Sequence, residues 1–318
     1  MRVRRRCFER QPQRQRRLAR PVISVGNLSM GGTGKTPVVA AIAQWLIAEG
    51  HRPAILSRGY ARADNVDGVV VVSDGESLRA PLEESGDEPL MLAEQVPGAI
   101  VCVSPERYLS GTLAEQRLGA TVHVLDDGFQ HLELARDVDV LVTTIGEIPN
   151  GRVIPFGRLR EPADAAARAQ VLVVSDANAG AASAEAWTLG ISQSCGALRT
   201  LGRPVAVFDA PADLPEDCTV LAVAGIAHPD RFVAALKDAG WNVAGQMAFR
   251  DHHRYTAADA DAIAAKAASC GADVVFTTCK DAVRLAALGP TPFGLFEVPL
   301  TVSFDPPDAL FATVKAAL

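Results

Sequence analysis

The feature that most constrains this chain is a glycine-rich turn between an apolar run and an alanine-rich segment. Val22–Val25 is predicted to be a short buried strand, and Val38–Ala48 is predicted to be a helix. The turn between them is Gly31–Thr36, with the sequence GGTGKT. A strand, such a turn and a helix aim backbone N–H groups and the positive helix end at one point, which suits a polyphosphate. The spacing therefore predicts a phosphate-binding loop.

The residue types in this loop indicate its chemistry. Lys35 can reach the β- and γ-phosphates of a nucleotide, and the Thr36 hydroxyl can bind Mg²⁺. The general pattern has a glycine where this chain has Ser29. ATP is the expected nucleotide because the Asn-Lys-x-Asp signature of guanine-specific proteins does not occur in the sequence. The residues expected to contact the nucleotide are Gly31, Gly32, Thr33, Gly34, Lys35 and Thr36.

A pair of carboxylates supports the same interpretation. Thr121–Leu125 is predicted to be a strand, and Asp126 and Asp127 follow it directly. Ligands of α/β sheets bind at the carboxyl ends of the strands, and an aspartate there commonly completes the Mg²⁺ shell. The alternative is an aspartate pair that only caps the turn before Gly128. Beside the phosphate loop, we favour Thr36, Asp126 and Asp127 as metal ligands.

Apolar runs alternate with helical stretches along the rest of the chain. Further strands are predicted at Ala54–Leu56, Ala99–Val103, Val138–Thr143, Val171–Val174, Val205–Phe208, Val220–Ala224 and Val274–Thr277. This alternation predicts an α/β fold, a P-loop NTPase-like and mostly parallel sheet with helices on both faces. We expect a basic arm at 1–20, a nucleotide-binding catalytic domain at 21–204 and a smaller α/β domain at 205–318. The alanine-rich run at 177–186 is expected to be a surface loop.

Charge is distributed unevenly along the chain. The formal net charge is −6, but residues 1–20 carry nine arginines and one glutamate, about +8, which leaves about −14 elsewhere. Such an arm can bind anionic lipid headgroups at about 1 kcal/mol per basic residue. A disordered tail or a wrongly assigned start is the alternative. The six cysteines lack metal-site spacing, and the sequence has neither a signal peptide nor a membrane-spanning run, so we expect a cytosolic protein.

A set of short segments spans the chain from residue 22 to about residue 285. They are VGNL at 25–28, LSRGY at 56–60, GDEP at 86–89, SPER at 104–107, DDGFQH at 126–131, LREP at 159–162, AGI at 224–226, DHH at 251–253 and KDAV at 280–283. Together with the phosphate loop they resemble the tetraacyldisaccharide 4'-kinases of lipid A biosynthesis. The chain departs from that family in a short N-terminus without an apolar helix, and in Arg158 where many members have Pro.

The resemblance implies ATP- and Mg²⁺-dependent transfer of the γ-phosphate to the 4'-hydroxyl of a tetraacyldisaccharide 1-phosphate, which forms lipid IVA. It implies Asp87 as general base, His252 as its assistant and Lys35 stabilising the transferred charge, in a cleft that the second domain closes. A positioned carboxylate can accept the proton of an attacking alcohol. The implied location is the cytoplasmic face of the inner membrane, in peripheral contact with anionic lipids. The substrate contacts expected from these segments are Arg107, Gln130, His131, Arg160 and Glu161.

Two other classes of function compete with a lipid kinase. A P-loop NTPase switch or metallochaperone would hydrolyse nucleotide without any small-molecule acceptor. A nucleic-acid-binding protein would use the basic arm, but the acidic remainder and the lack of an aromatic-rich basic motif argue against nucleic acid as a partner. We favour the kinase because the segments listed above accompany the phosphate loop.

Overall fold

The computed structural model describes residues 15–59, 67–208, 214–215 and 217–318. Most of the basic arm, residues 1–14, and Tyr60 of the LSRGY segment lie outside these ranges. The chain divides into two compact units. The first comprises Met1–Arg199 and Val302–Leu318, and the second is Thr200–Thr301.

Strands and helices alternate through both units. The strands are β1 (Val22–Gly26), β2 (Pro53–Ser57), β3 (Val70–Asp74), β4 (Ile100–Val103), β5 (Val122–Asp126), β6 (Val138–Thr143), β7 (Val171–Ser175), β8 (Gln193–Leu201), β9 (Val205–Ala206), β10 (Thr219–Ala224), β11 (Asn242–Ala248), β12 (Val274–Thr278), β13 (Leu295–Val298) and β14 (Leu300–Asp305). The α-helices are α1 (Lys35–Ala48), α2 (Leu82–Ser85), α3 (Asp87–Gln95), α4 (Arg107–Leu118), α5 (Ala179–Leu189), α6 (Pro229–Asp238), α7 (Ala257–Cys270), α8 (Cys279–Ala286) and α9 (Pro307–Lys315). A 3₁₀ helix covers Ala163–Arg168.

The strands form two sheets. The larger has nine strands in the order β14-β8-β7-β6-β1-β5-β2-β4-β3, and the smaller has five in the order β11-β10-β12-β13-β9. In the larger sheet β1 pairs in parallel with β5 on one side and β6 on the other, while β3 is antiparallel to β4. Strands β1, β5 and β6 are buried at every position, as expected for a parallel sheet that is covered on both faces. The predicted α/β class with a mostly parallel sheet is confirmed.

Three expectations about segments differ from the structure. The alanine-rich run at 177–186 is not a loop but the start of α5, whose first turn is capped by Asn178 Oδ1 accepting from the Ala181 N–H at 3.0 Å. The strand expected at Val205–Phe208 is shortened to β9, which pairs antiparallel with β13. Val302–Leu318, expected in the second domain, belongs to the first unit because β14 joins the nine-stranded sheet.

The described end of the basic arm is attached to the first unit. Arg16 forms a backbone bridge with Leu134, and Leu18 is buried among apolar side chains of this unit. Arg17 forms an ion pair with Asp137 at 2.9 Å. Hydrogen bonds and burial together fix the chain entering β1. Among the helices in the described ranges, none is long and apolar enough to cross a membrane.

Candidate active site

The phosphate loop connects β1 to α1 at the centre of the larger sheet. Gly34 precedes α1 in the left-handed conformation, with φ of 86°, and Gly31 has φ of 123°. Both angles are unfavourable for residues with a Cβ atom. No side chain caps α1, and its first turn carries no acidic residue. The first N–H groups of α1 therefore keep the hydrogen-bonding capacity and the positive potential that bind a phosphate.

Two side chains outside the glycine-rich motif hold this loop in place. Asn27 Nδ2 donates to Thr33 Oγ1 at 3.0 Å, and Ser175 Oγ at the end of β7 donates to the Thr33 carbonyl at 2.7 Å. Thr33 is buried, so these bonds are shielded from water. Ser29, the position that departs from the general pattern, forms a backbone bridge with Leu159 instead.

The two aspartates lie at the carboxyl end of β5, beside β1. Asp126 pairs in register with Val25, and Asp127 follows it with φ of 51°. Lys35 Nζ lies 3.5 Å from Asp127 Oδ1. Lys35, the first residue of α1, therefore lies close to the carboxylates at the carboxyl end of β5.

Burial and charge act differently on the two carboxyl groups. Burial, together with the charges of Glu88 and Asp127, raises the pKa of Asp126 to about 7. Burial also raises the pKa of Asp127, but the charges of Lys35 and Arg160 outweigh it and the net shift is downwards. Two neighbouring carboxylates of this kind repel each other unless a cation lies between them.

The residues present fit a bound Mg²⁺. Oδ1 of Asp127 is buried and has no hydrogen-bond partner among the described residues. Buried carboxylate oxygens normally have one. The described ranges contain no group of three or more His, Cys, Asp or Glu side chains able to hold a metal ion. Proteins commonly bind Mg²⁺ through one or two carboxylates together with substrate phosphates and water, and Asp126 and Asp127 are two such carboxylates.

A chain of side chains extends from Asp127 into the first unit. Arg160 Nη1 donates to Asp127 Oδ2 at 2.8 Å and to Gln130 Oε1 at 3.1 Å. Gln130 in turn donates to Glu161 Oε1 at 3.2 Å. Glu161 is buried and is bound by Arg168 at 2.8 Å, and the Arg168 guanidinium stacks over the Phe129 ring at 3.9 Å. This network of hydrogen bonds and ion pairs orients the side chains of Arg160 and Asp127.

Arg107 and His131 are the two remaining substrate contacts expected from the sequence. Arg107 begins α4 and is buried, with an Nε that has no hydrogen-bond partner within the described ranges. Burial lowers the pKa of Arg107 to about 10, against the opposing charges of Asp126 and Asp127. His131 lines a pocket of about 390 Å³ together with Arg16, Glu106, Tyr108 and Glu133.

Asp87 is the first residue of α3 and is buried. Its Oδ1 accepts from the N–H of Glu88 at 2.9 Å, and Gly86 before it has φ of 82°. A carboxylate is stabilised at a helix N-terminus by the helix dipole. The charge of Glu88, the second residue of α3, raises the pKa of Asp126.

The relatives of the chain agree with this arrangement. Residues 1–318 match the family described as Tetraacyldisaccharide-1-P 4'-kinase, LpxK. The chain belongs to this family. A tetraacyldisaccharide 4'-kinase of Pelobacter propionicus is 42% identical over 280 residues, which cover 86% of this chain and 76% of that protein. One from Geobacter metallireducens is 41% identical, over 86% of this chain and 80% of the relative.

A solved member of the LpxK family has the same fold. The crystal structure of the "apo" form of LpxK from Aquifex aeolicus in complex with ATP superposes with a TM-score of 0.79 at 29% identity. The match covers 99% of this chain and 94% of that one. The expected enzyme class, a phosphotransferase, is confirmed by family membership.

His252, which LpxK resemblance implies as the assistant of Asp87, lies in the second unit. It follows β11 with φ of 57°, and its Nε2 accepts from Lys280 Nζ at 3.2 Å. Lys280 also lies 3.6 Å from Asp251 Oδ1. His253, by contrast, stacks on Phe249 and contacts Asp259, as a structural residue would. The pairing of His252 with Asp87 stays a prediction.

Sequence reasoning missed four residues of this LpxK site. Arg168 lies six residues after the LREP segment and Ser175 directly follows the predicted strand Val171–Val174, but neither belongs to a recognised segment. Asn27 and Glu88 are inside the VGNL and GDEP segments, but no role was assigned to either. A polar residue directly after a buried strand, as at Asn27, is the kind of signal that marks a ligand edge.

Proposed function

We propose that this protein transfers the γ-phosphate of ATP to the 4'-hydroxyl of a tetraacyldisaccharide 1-phosphate, the product being lipid IVA. The proposal extends to this chain what the names of its LpxK-family relatives state of those proteins. The single observation that carries it is the pair of Asp126, which is buried, and Asp127, whose Oδ1 has an ion pair with Lys35 at 3.5 Å but no hydrogen bond within the described ranges, next to an open helix N-terminus. Such an edge is built for a polyphosphate and a cation.

Each residue then has one role in the transfer. Asp87 accepts the proton of the 4'-hydroxyl, whose oxygen forms the new bond to the γ-phosphorus. The bond from that phosphorus to the bridging oxygen breaks, and ADP leaves with the electron pair. Lys35 and Arg107 offset the negative charge on the transferring group. Asp87 is assisted by His252 as the resemblance implies.

Thr36, Asp126 and Asp127 are the residues that would hold Mg²⁺, which when bound neutralises charge on the phosphate oxygens. Arg160 forms an ion pair with Asp127 at 2.8 Å and would contribute a second positive charge to phosphate binding at this carboxylate. Gln130, His131 and Glu161 complete the acceptor side, Glu161 by positioning Gln130. These assignments, and the peripheral location at the inner membrane with the basic arm on anionic lipids, belong to the proposal.

The test is a transfer assay with γ-labelled ATP and the detergent-dispersed disaccharide 1-phosphate lipid. The wild-type protein should label the lipid, and Asp87→Asn should lower kcat about 10³-fold while ATP still binds. The matched control is Glu83→Gln, because Glu83 is an exposed carboxylate on the preceding helix α2. It should retain wild-type rates.

Each negative outcome removes a defined part of the proposal. Unlabelled lipid with the wild-type protein, alongside ATP hydrolysis that ignores the lipid, would instead indicate a nucleotide switch. Full activity of Asp87→Asn would remove the general base and leave the reaction. A His252→Ala variant with unchanged kcat would remove the assistance to Asp87.

A further inference from the structure

The loop that precedes the LREP segment has an unusual composition. Residues 152–158, which we call the Phe156 loop, have the sequence RVIPFGR. Apolar residues occupy the middle of the loop, and an arginine stands at each end. No acidic residue occurs between residue 148 and residue 160, although the chain as a whole carries a net charge of −6.

The apolar side chains at the tip of this loop face solvent. Phe156 is 85% exposed and Ile154 is 45% exposed. Met30, on the phosphate loop beside them, is 53% exposed. A single exposed apolar side chain is ordinary on a protein surface, but clustered exposed apolar residues commonly mark a contact surface.

Backbone hydrogen bonds hold the Phe156 loop in a defined conformation. The Ile154 N–H donates to the Leu159 carbonyl at 2.9 Å, and the Leu159 N–H donates to the Arg152 carbonyl at 2.9 Å. A Cβ atom at Gly157 would lie 2.6 Å from the Cβ of Arg152, so only glycine fits there. Leu159 itself is buried in the apolar core of the first unit. Phe156 is therefore held outwards by the backbone around it.

Backbone and side-chain contacts tie the loop to the phosphate loop. The Met30 N–H donates to the Arg158 carbonyl at 2.8 Å, and Arg158 Nη2 donates to the Met30 carbonyl at 2.7 Å. These contacts hold the Phe156 loop beside the phosphate loop. Any surface that the Phe156 loop contacts therefore lies close to the place where the γ-phosphate is expected. Arg152 and Arg158 are both exposed, one on each side of the apolar tip.

We propose that the Phe156 loop docks on an anionic bilayer surface, with Phe156 and Ile154 entering the interface and Arg152 and Arg158 contacting lipid headgroups. Apolar tips flanked by cations combine burial of apolar area with attraction to anionic lipid. The acidic remainder of the chain is repelled by such a surface, so this basic loop orients the phosphate loop towards it. This inference rests on the proposed function and deepens it. Docking of the Phe156 loop turns the phosphate loop towards an acceptor in the membrane.

Vesicle sedimentation of the full chain, without ATP or acceptor, tests the loop independently of catalysis. Phe156→Ser should weaken binding about tenfold on phosphatidylethanolamine–phosphatidylglycerol vesicles, because most of the aromatic burial is lost. Arg152→Glu should weaken binding about tenfold on these vesicles and leave binding to phosphatidylcholine unchanged. The matched controls are Trp187→Ser, an 87% exposed aromatic on α5, and Arg117→Glu, an exposed arginine on α4. Both controls should bind like the wild-type protein.

A second measurement locates the loop directly. A Phe156→Trp variant should show extra fluorescence quenching by brominated lipid compared with the wild-type protein. Equal vesicle binding by Phe156→Ser and the wild type, or equal losses in Phe156→Ser and Trp187→Ser, overturns the proposal. Vesicle-free self-association that Phe156→Ser abolishes also overturns it, because the loop would then cover a second copy of the chain. Transfer to detergent-dispersed acceptor should stay at wild-type rates in Phe156→Ser, which separates this outcome from failure of the proposed function.

Discussion

The carboxyl edges of the two sheets carry similar residues but differ in how fully those residues are hydrogen-bonded. In each unit a glycine-containing turn follows one parallel strand, and a buried aspartate lies close to it at the same edge. In the first unit the aspartates are Asp126, the last residue of β5, and Asp127, which follows it. In the second unit the aspartate is Asp281, near the start of α8, which bonds to the Gly225 N–H after β10.

The aspartate of the second unit is fully satisfied. Asp281 accepts from the Tyr255 hydroxyl at 3.0 Å, the Gly225 N–H at 3.0 Å and the Thr278 hydroxyl at 2.7 Å. Arg284 lies 3.4 Å away and offsets its charge. A buried carboxylate with this many donors is a structural group, because it has no capacity left for a ligand.

In the first unit, polar groups at the corresponding edge keep hydrogen-bonding capacity that no described residue uses. Asp127 Oδ1 and Arg107 Nε are buried and lack hydrogen-bond partners among the described residues, and Asp126 has its pKa raised to about 7. Burying polar groups without hydrogen bonds costs stability, and Asp127 Oδ1 has only the 3.5 Å ion pair with Lys35. A ligand edge is therefore recognised by its polar atoms without hydrogen bonds, since a buried aspartate near the carboxyl end of a parallel strand occurs at both edges.

The largest expected effect distinguishes the two edges by activity. Asp126→Asn should lower the rate of phosphoryl transfer about 10³-fold, or about 4 kcal/mol of transition-state stabilisation. In the absence of metal ion it should also make the protein more stable at pH 8, by on the order of 2 kcal/mol. The transfer assay and urea denaturation measure the two effects.

The sign of the stability effect follows from the raised pKa of Asp126. That pKa lies above the ordinary 3.8, so the stabilising contribution is fully present below pH 3.8 and is lost as pH rises towards 7. Asparagine cannot ionise and avoids this loss. A destabilised Asp126→Asn protein would mean that Asp126 is structural, as Asp281 is, and the comparison would fail.

The next effect concerns the stability of the second unit. Asp281→Asn should lower its free energy of unfolding by about 3 kcal/mol, because the Arg284 charge loses its buried partner. Urea denaturation of the full chain provides the measurement. Asp261→Asn, at an exposed position on α7, should change stability by less than about 0.5 kcal/mol. Equal stability of Asp281→Asn and the wild type would show that the second edge is not saturated.

The smallest effect tests the amino half of β5, the strand that ends in Asp126. His123 is fully buried and its Nε2 lies 3.0 Å from Glu115 Oε1. Burial lowers the pKa of His123 below 6.5, with Glu115 opposing the shift. The stability contributed by neutral His123 is therefore fully present above pH 6.5 and is lost as pH falls through the lowered pKa.

Denaturation over a series of pH values measures this contribution. His123→Gln should show a flatter loss of stability below pH 6.5 than the wild-type protein. Glu115, whose carboxyl pKa is lowered mainly through its bond to His123 against the opposing effect of burial, remains in both proteins. An identical pH dependence in the two proteins would assign the acid sensitivity to other groups.

Sequence alone determined the phosphate loop, the aspartates after β5, the α/β class and the family. Each of these features depends on signals within one or more short stretches of sequence, so local chemistry is sufficient to reveal them. It misassigned the run at 177–186 and residues 302–318, because Ala-rich helices and edge strands carry weak periodicity. It also assigned carboxylates by position without knowing which were already satisfied.

Tertiary structure alone decided which polar groups remain open. Ser175 reaches Thr33 across 142 residues of sequence, and Arg160 reaches Asp127 across 33. The outward setting of Phe156 likewise depends on backbone bonds to Leu159 and on the burial of that leucine. Hydrogen-bond saturation and exposure are properties of neighbours brought together in space, and for that reason they separated a ligand edge from a structural one when residue types could not.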